Sequence, residues 1–229
     1  MKNSGLVSGI YLVSEWVMRF SVINILWVVF NIPILFIVVS MLLSSQAIDL
    51  IILIPILCIL LPIFFFPATQ ALFASMRVFI MNREESGLIK MYWKFYKENY
   101  KKSIIAGLLF TLLWVIWYAD LYFFSENNVI LMFVFIVLGI VLYVFTINYF
   151  SVGAHYDARF RQQFKNAFLL TLGSPLLFFG VLLSSGFTLL MSIYQFQFLF
   201  FFFTGSLTAF LAFSAFYQTT LRLQKKKEG

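Results

Sequence analysis

NAFLLTLGSPLLFFGVLLSSGFTLLMSIYQFQFLFFFFTGSLTAFLAFSAFYQTTL, residues 166–221, contains no Asp, Glu, Lys or Arg. As one α-helix rising about 1.5 Å per residue it would measure about 84 Å, nearly three times the roughly 30 Å hydrocarbon core of a bilayer. It must therefore turn back once. The polar break Ser192-Ile193-Tyr194-Gln195 marks the turn and yields two spans, 167–191 and 196–217. Working upstream gives four more: 20–43, 50–76 and 129–154 are uncharged, and 103–124 carries only Asp120 near its end. Each is long enough to cross as a helix, which satisfies its own backbone donors where no water can. The chain reads as one all-α integral membrane domain, residues 1–229, a polytopic transmembrane helical bundle of six spans.

The basic residues fix an orientation. All 16 Lys and Arg fall outside the apolar runs and gather in alternate gaps. Lys2 and Arg19 precede the first span; Arg77, Arg83, Lys90, Lys94, Lys97, Lys101 and Lys102 lie between the second and third; Arg159, Arg161 and Lys165 lie between the fourth and fifth; Arg222 and Lys225 to Lys227 close the chain. The gaps near Gln46, Asn127 and Tyr194 hold none and bear only the acidic Asp49 and Glu126. Short Lys/Arg-rich loops stay in the cytoplasm, so the expectation is a multi-pass cell-membrane protein with both termini cytoplasmic. Five spans would export the C-terminal Lys run. The first apolar run is too long for a signal-peptide core and has no small-residue cleavage site after it, so it is expected to be retained.

Composition excludes a soluble globule. With 62% hydrophobic and only 11% charged residues, there is too little polar side-chain surface to face water all round. The net charge of +7 sits beside the spans, where an anionic leaflet attracts each basic residue by roughly 1 kcal/mol, so membrane surface rather than nucleic acid is the expected partner. Cys58 is the only cysteine, which rules out an internal disulfide or a thiolate metal cluster.

Residues 86–102 change period. Lys90, Lys94, Lys97 and Lys101 recur at intervals of 4, 3 and 4, while Ile89, Tyr92, Trp93, Tyr96 and Tyr100 share another face. That is an amphipathic helix of the kind that lies in the headgroup plane, and the Lys row is a candidate contact for anionic lipid or a partner. The plainer reading is a solvated elbow anchoring the third span. A second pattern, R-x4-N-x8-P-[IL]-L-F, begins at Arg19 and again at Arg161, suggesting duplicated hairpins of the sort transporters build around helix breaks.

Chemistry has few footholds. No ionisable residue stands at a span centre, where charge is costly and kept for a use. Asp120 lies near the outer mouth, and His155 lies at the inner end of the fourth span near Asp157. Asn24, Asn31 and Asn148 are candidate interhelical hydrogen-bond partners, with Ser40 and Thr111 as lesser ones. Pro33, Pro55, Pro62, Pro67 and Pro175 break or bend helices. There is no G-x4-G-K-[ST], G-x-S-x-G, H-E-x-x-H or C-x-x-C, so no enzyme, cofactor or metal site is expected.

Four motifs together carry a family resemblance. They are Trp16-x2-Arg19-x4-Asn24-x2-Trp27 leading to Ile32-Pro33; Pro67-Ala68-Thr69-x-Ala71-Leu72-Phe73-x3-Arg77; Trp93-x2-Tyr96-x2-Asn99-Tyr100-Lys101; and Ala158-Arg159-Phe160 with Lys165-Asn166-Ala167-Phe168. Over nearly the whole chain they resemble the YesL family of bacterial integral membrane proteins, a domain of unknown function. The resemblance implies a non-enzymatic accessory or assembly role beside carbohydrate uptake and utilisation systems, with transporter subunits as partners; it supplies no catalytic residues. Phe64 to Phe66 stand where the family usually has a Gly before Pro67, which argues against a tight helix approach there. The alternative is a small carrier or lipid-interacting transporter. A polar midplane cavity around Asn24, Asn31 and Asn148 would favour the carrier, and a solid Phe-packed interior the partner.

Overall fold

The computed structural model describes residues 3–44, 46–83, 87–194 and 196–228, and among them every regular element is a helix. In chain order these are α1 (Asn3–Phe30), α2 (Ile32–Leu43), α3 (Ala47–Leu60), the π-helix π1 (Leu61–Phe65), α4 (Phe66–Ile80), α5 (Leu88–Asn127), α6 (Val129–His155), α7 (Phe160–Gly173), α8 (Pro175–Tyr194), α9 (Gln197–Leu199), the π-helix π2 (Phe200–Thr204) and α10 (Gly205–Glu228). Six helical stretches are long and apolar enough to cross a membrane: Ser8–Phe30, Ile48–Ile80, Leu88–Asn127, Val129–His155, Pro175–Tyr194 and Phe200–Lys225. The protein is an all-helical, multi-pass membrane protein.

The helix ends differ from the sequence reading where proline and backbone chemistry intervene. Residues 20–43 are not one helix. Pro33 has no N–H for the carbonyl of Val29, α1 stops at Phe30, and the Asn31 N–H closes it on Val28 O at 3.0 Å. The short apolar α2 follows, packed against α3. Residues 167–191 are likewise divided: α7 ends at Gly173 and α8 starts at Pro175. The repeat motif thus marks a helix break before each of its prolines. Its two asparagines differ in surroundings, however, since Asn24 is fully buried and Asn166 is only half-buried. The last span begins near Phe200 and runs past 217 into the Lys-rich tail. Lys2, Ser86 and Gln195, which figure in the sequence reading, lie outside the described residues.

The core is built around α4. Every residue from Phe66 to Phe79 except Arg77 is buried, because α5, α6 and α10 all pack on it. A helix apolar on all sides is a core helix. Pro67, at its first turn, occupies the position where a missing N–H costs nothing. Aromatic rings fill the contacts: Phe66 stacks on Phe110 at 5.9 Å and packs on Phe150 at 5.4 Å, and Phe73 stacks on Phe150 at 5.5 Å. Tight approach does occur, one turn upstream of the phenylalanines that replace the family glycine. Gly107 of α5 lies against Pro62 of π1, and a Cβ there would stand 2.6 Å from the Pro62 Cα.

The expected interfacial helix and the third span are one element. α5 runs unbroken for 40 residues, about 60 Å along its axis, so it is far longer than the roughly 30 Å hydrocarbon core. Its aromatic side is covered by protein rather than lipid. Tyr92 and Tyr96 are only 1% and 8% exposed, with Phe30 of α1 against both rings at 5.7 and 4.4 Å. Tyr92 also donates to Ala68 O at 2.9 Å.

Candidate functional site: an aromatic cavity between two helix breaks

Two π-helices are unusual in one chain, since such turns are rare and recur at functional sites. π1 arises where Pro62 and Pro67 each remove a donor. The Phe66 N–H then bonds Leu61 O, five residues back. π2 interrupts the start of the last span at Phe200–Thr204. Its displaced carbonyls are taken up by Asn24, which is fully buried. The Asn24 Nδ2 donates to Phe200 O at 3.1 Å and Phe201 O at 2.7 Å, and its Oδ1 accepts from the Ser206 N–H at 3.0 Å. One α1 amide therefore satisfies both senses of a break on a distant helix.

Both breaks face one interior cavity of about 400 Å³. Leu61 and Phe65 of π1 and Phe200 and Thr204 of π2 line it, together with Trp27, Trp114, Phe150 and a set of hydroxyls. Most polar atoms on the wall are engaged. Trp27 Nε1 donates to Thr69 Oγ1 at 3.0 Å, Trp114 Nε1 to Thr146 Oγ1 at 3.3 Å, and the Thr204 and Ser192 hydroxyls share a bond of 2.5 Å. The Tyr143 hydroxyl sits beside Ser185. The Thr111 and Thr208 hydroxyls are buried and have no hydrogen-bond partner. No ionisable acid or base lines the cavity, Tyr143 apart.

The residues singled out from sequence fall elsewhere. Asn148 Nδ2 donates to Thr171 Oγ1 at 3.0 Å, tying α6 to α7, whereas Asn31 Nδ2 donates to Trp27 O at 2.7 Å within its own helix. Neither lines the cavity, and nor does Asn24. The interior is thus neither a polar channel nor a solid Phe-packed mass. Lys90, Lys94, Lys97 and Lys101 are all exposed on α5, opposite the buried Met91, Tyr92, Phe95 and Tyr96. Lys97 Nζ lies 5.4 Å from the Trp93 ring. His155 is packed among Tyr156, Phe213, Phe216 and Tyr217, with ring centroids 4.6 to 6.1 Å away. Asp157 pairs with Lys102 at 2.6 Å, and that ammonium holds its carboxyl below the usual carboxylate range. Arg77 donates to Ala154 O at 2.6 Å and lies over the Phe95 ring at 5.7 Å, joining α4, α6 and α5.

Residues 20–121 match the family described as "Protein of unknown function, DUF624". The chain is similar to the uncharacterized protein YesL of Bacillus subtilis (strain 168), 22% identical over 218 residues that cover 93% of this chain and 91% of that protein. The likeness is to a YesL-like family of unknown function. A second relative, the uncharacterized protein YteU of the same organism, is 26% identical over 174 residues, 75% of this chain and 67% of that protein. No solved structure matches. The YesL-like motifs acquire physical meaning together: Trp27 meets Thr69, Asn24 closes π2, and Arg77 caps Ala154 beside the fourth motif. Sequence reading missed the cavity because a π-turn leaves no residue signature; the spacing of Asn24 and Trp27, one helical turn apart beside a proline break, was the available signal.

Proposed function

We propose that this chain is a non-enzymatic accessory or assembly partner of a carbohydrate uptake or utilisation system in the cell membrane, with both termini cytoplasmic. The observation that carries the reading is the rigid presentation of Lys90, Lys94, Lys97 and Lys101. The same turns that expose the row are locked into the bundle by Tyr92, Phe95 and Tyr96 on the other side. A fixed row of ammonium groups suits anionic headgroups or an acidic face of a transporter subunit. The YesL-like resemblance supplies the carbohydrate setting. The test is a strain carrying the four Lys→Gln changes in the full chain. Growth on a complex carbohydrate should fall to the level of a deletion strain while the protein remains membrane-inserted at normal abundance; undiminished growth would refute docking through this row.

A second reading, a small lipid-interacting carrier, draws on the convergence of both helix breaks on one cavity, since transporters place binding sites at broken helices. Reconstituted alone, the chain would then move an apolar solute between leaflets of proteoliposomes. Flip rates equal to protein-free vesicles would remove this reading.

A further inference from the structure

The Thr and Ser residues of this bundle mostly bond back to the carbonyl four residues earlier, as Thr146, Thr171, Thr188 and Thr219 do. That back-bond is the default for a hydroxyl in an apolar helix, since an unpaired buried hydroxyl costs about 1–3 kcal/mol. Thr111 and Thr208 do not make it. Both line the cavity, both hydroxyl oxygens are shut off from solvent, and Thr111 is 7% exposed. Two unpaired hydroxyls on different helices, α5 and α10, thus converge on a space walled by Trp27, Phe65, Trp114 and Phe200.

The walls select the occupant. A volume of about 400 Å³ falls within the roughly 300–1,000 Å³ of small-molecule sites. Water is a poor filler, because a buried water needs about two to four polar partners and most wall hydroxyls already bond one another or the indole N–H groups. A phosphate or carboxylate would meet no cation there. A sugar, with an oxygen on nearly every carbon, would leave most of them unpaired. What remains is a neutral molecule that is almost all hydrocarbon and carries one hydroxyl or carbonyl, reaching the cavity from the bilayer.

We propose that this cavity binds a neutral, isoprenoid-sized lipid alcohol or carbonyl compound, its apolar body held by the aromatic wall and its oxygen hydrogen-bonded to Thr111 or Thr208. This deepens the lipid-interacting reading above and rests on it for the route of entry. It does not require transport, so a chain that binds such a molecule yet moves nothing across proteoliposomes loses the carrier reading and keeps the site.

The test uses the full chain in detergent micelles with tritiated farnesol as probe, farnesene as the matching hydrocarbon and farnesyl phosphate as the charged counterpart. Farnesol should bind saturably at one per chain, and farnesyl phosphate should not compete. Combined Thr111→Val and Thr208→Val, which keep the cavity shape, should weaken farnesol about tenfold and leave farnesene unchanged. Should the double variant lose farnesene as well, the single variants decide by the same criterion. Non-saturable uptake of farnesol, competition by farnesyl phosphate, or undiminished farnesol affinity in the Val variants would each overturn the proposal.

Discussion

Gly107 and Pro62 form the closest helix crossing that a side chain would obstruct on backbone: a Cβ on Gly107 would stand 2.6 Å from the Pro62 Cα and 3.0 Å from the Phe66 ring. Neither partner can yield, because Pro62 is fixed within π1 and Phe66 is wedged between Phe110 and Phe150. Gly107→Ala should therefore destabilise the bundle by about 1–3 kcal/mol through overpacking, read as a lower midpoint of thermal unfolding in detergent. Gly9→Ala, with nothing within 4 Å of its added carbon, should leave the midpoint unchanged or raised. Equal midpoints for wild type and Gly107→Ala would contradict the crossing.

Asn24→Leu has a similar volume but strips the Phe200 and Phe201 carbonyls and the Ser206 N–H of their partner. The expected cost is about 1–3 kcal/mol, and the start of the last span should loosen. Hydrogen exchange at residues 200–206 should quicken in the variant and stay slow elsewhere in α10. Asn127→Ala, at an exposed helix end, should change stability by less than about 0.5 kcal/mol. Uniformly slow exchange in Asn24→Leu would show that π2 holds itself together.

Asp157 gives a pH signature with a definite sign. Lys102 depresses its carboxyl pKa in the folded protein, so the pair's stabilisation is fully present above the ordinary carboxylate range and disappears as pH falls through the depressed folded value. Wild type should melt slightly above Asp157→Asn at pH 7, the gap closing in strong acid. Asp157 is solvent-exposed, so added salt should also close the gap. A gap that widens on acidification would reverse the assignment.

For orientation, single cysteines placed in Cys58→Ser background at Asn127 and at Lys225 should label from opposite sides of sealed cells. Both sites are exposed at the ends of long helices. With the basic residues inside, Asn127→Cys reacts with an impermeant maleimide from outside, and Lys225→Cys only after the cells are opened. Labelling of Lys225→Cys in intact cells would overturn the six-crossing topology.

The helical, membrane-spanning class was legible because it rests on apolar length, a property each segment carries alone. The Lys row was legible as one face of a helix, yet periodicity says only that Tyr92 and Tyr96 share an apolar side and not what covers it. Phe30 and Ala68 cover it, from elements distant in sequence. The break at Asn31 could be suspected from Pro33, whereas π1 and π2 could not, since a one-residue shift in hydrogen bonding needs no special residue. Thr111 was noted only as a minor interhelical bond former. Its unmet hydroxyl becomes visible once the surrounding helices have left it no acceptor.

The full enclosure of α4 sets an order of assembly. Gln70 reaches only Phe150 O, at 3.4 Å on α6, and Ser75 bonds Ala71 within α4. While the chain is being inserted, α4 precedes α5, α6 and α10, so the Gln70 amide faces lipid until the fourth crossing arrives. A nascent chain halted before α6 is consequently a protein with an unmet amide in hydrocarbon, the kind of intermediate that membrane chaperones and proteases recognise. Its survival depends on how fast the second half of the sequence is made.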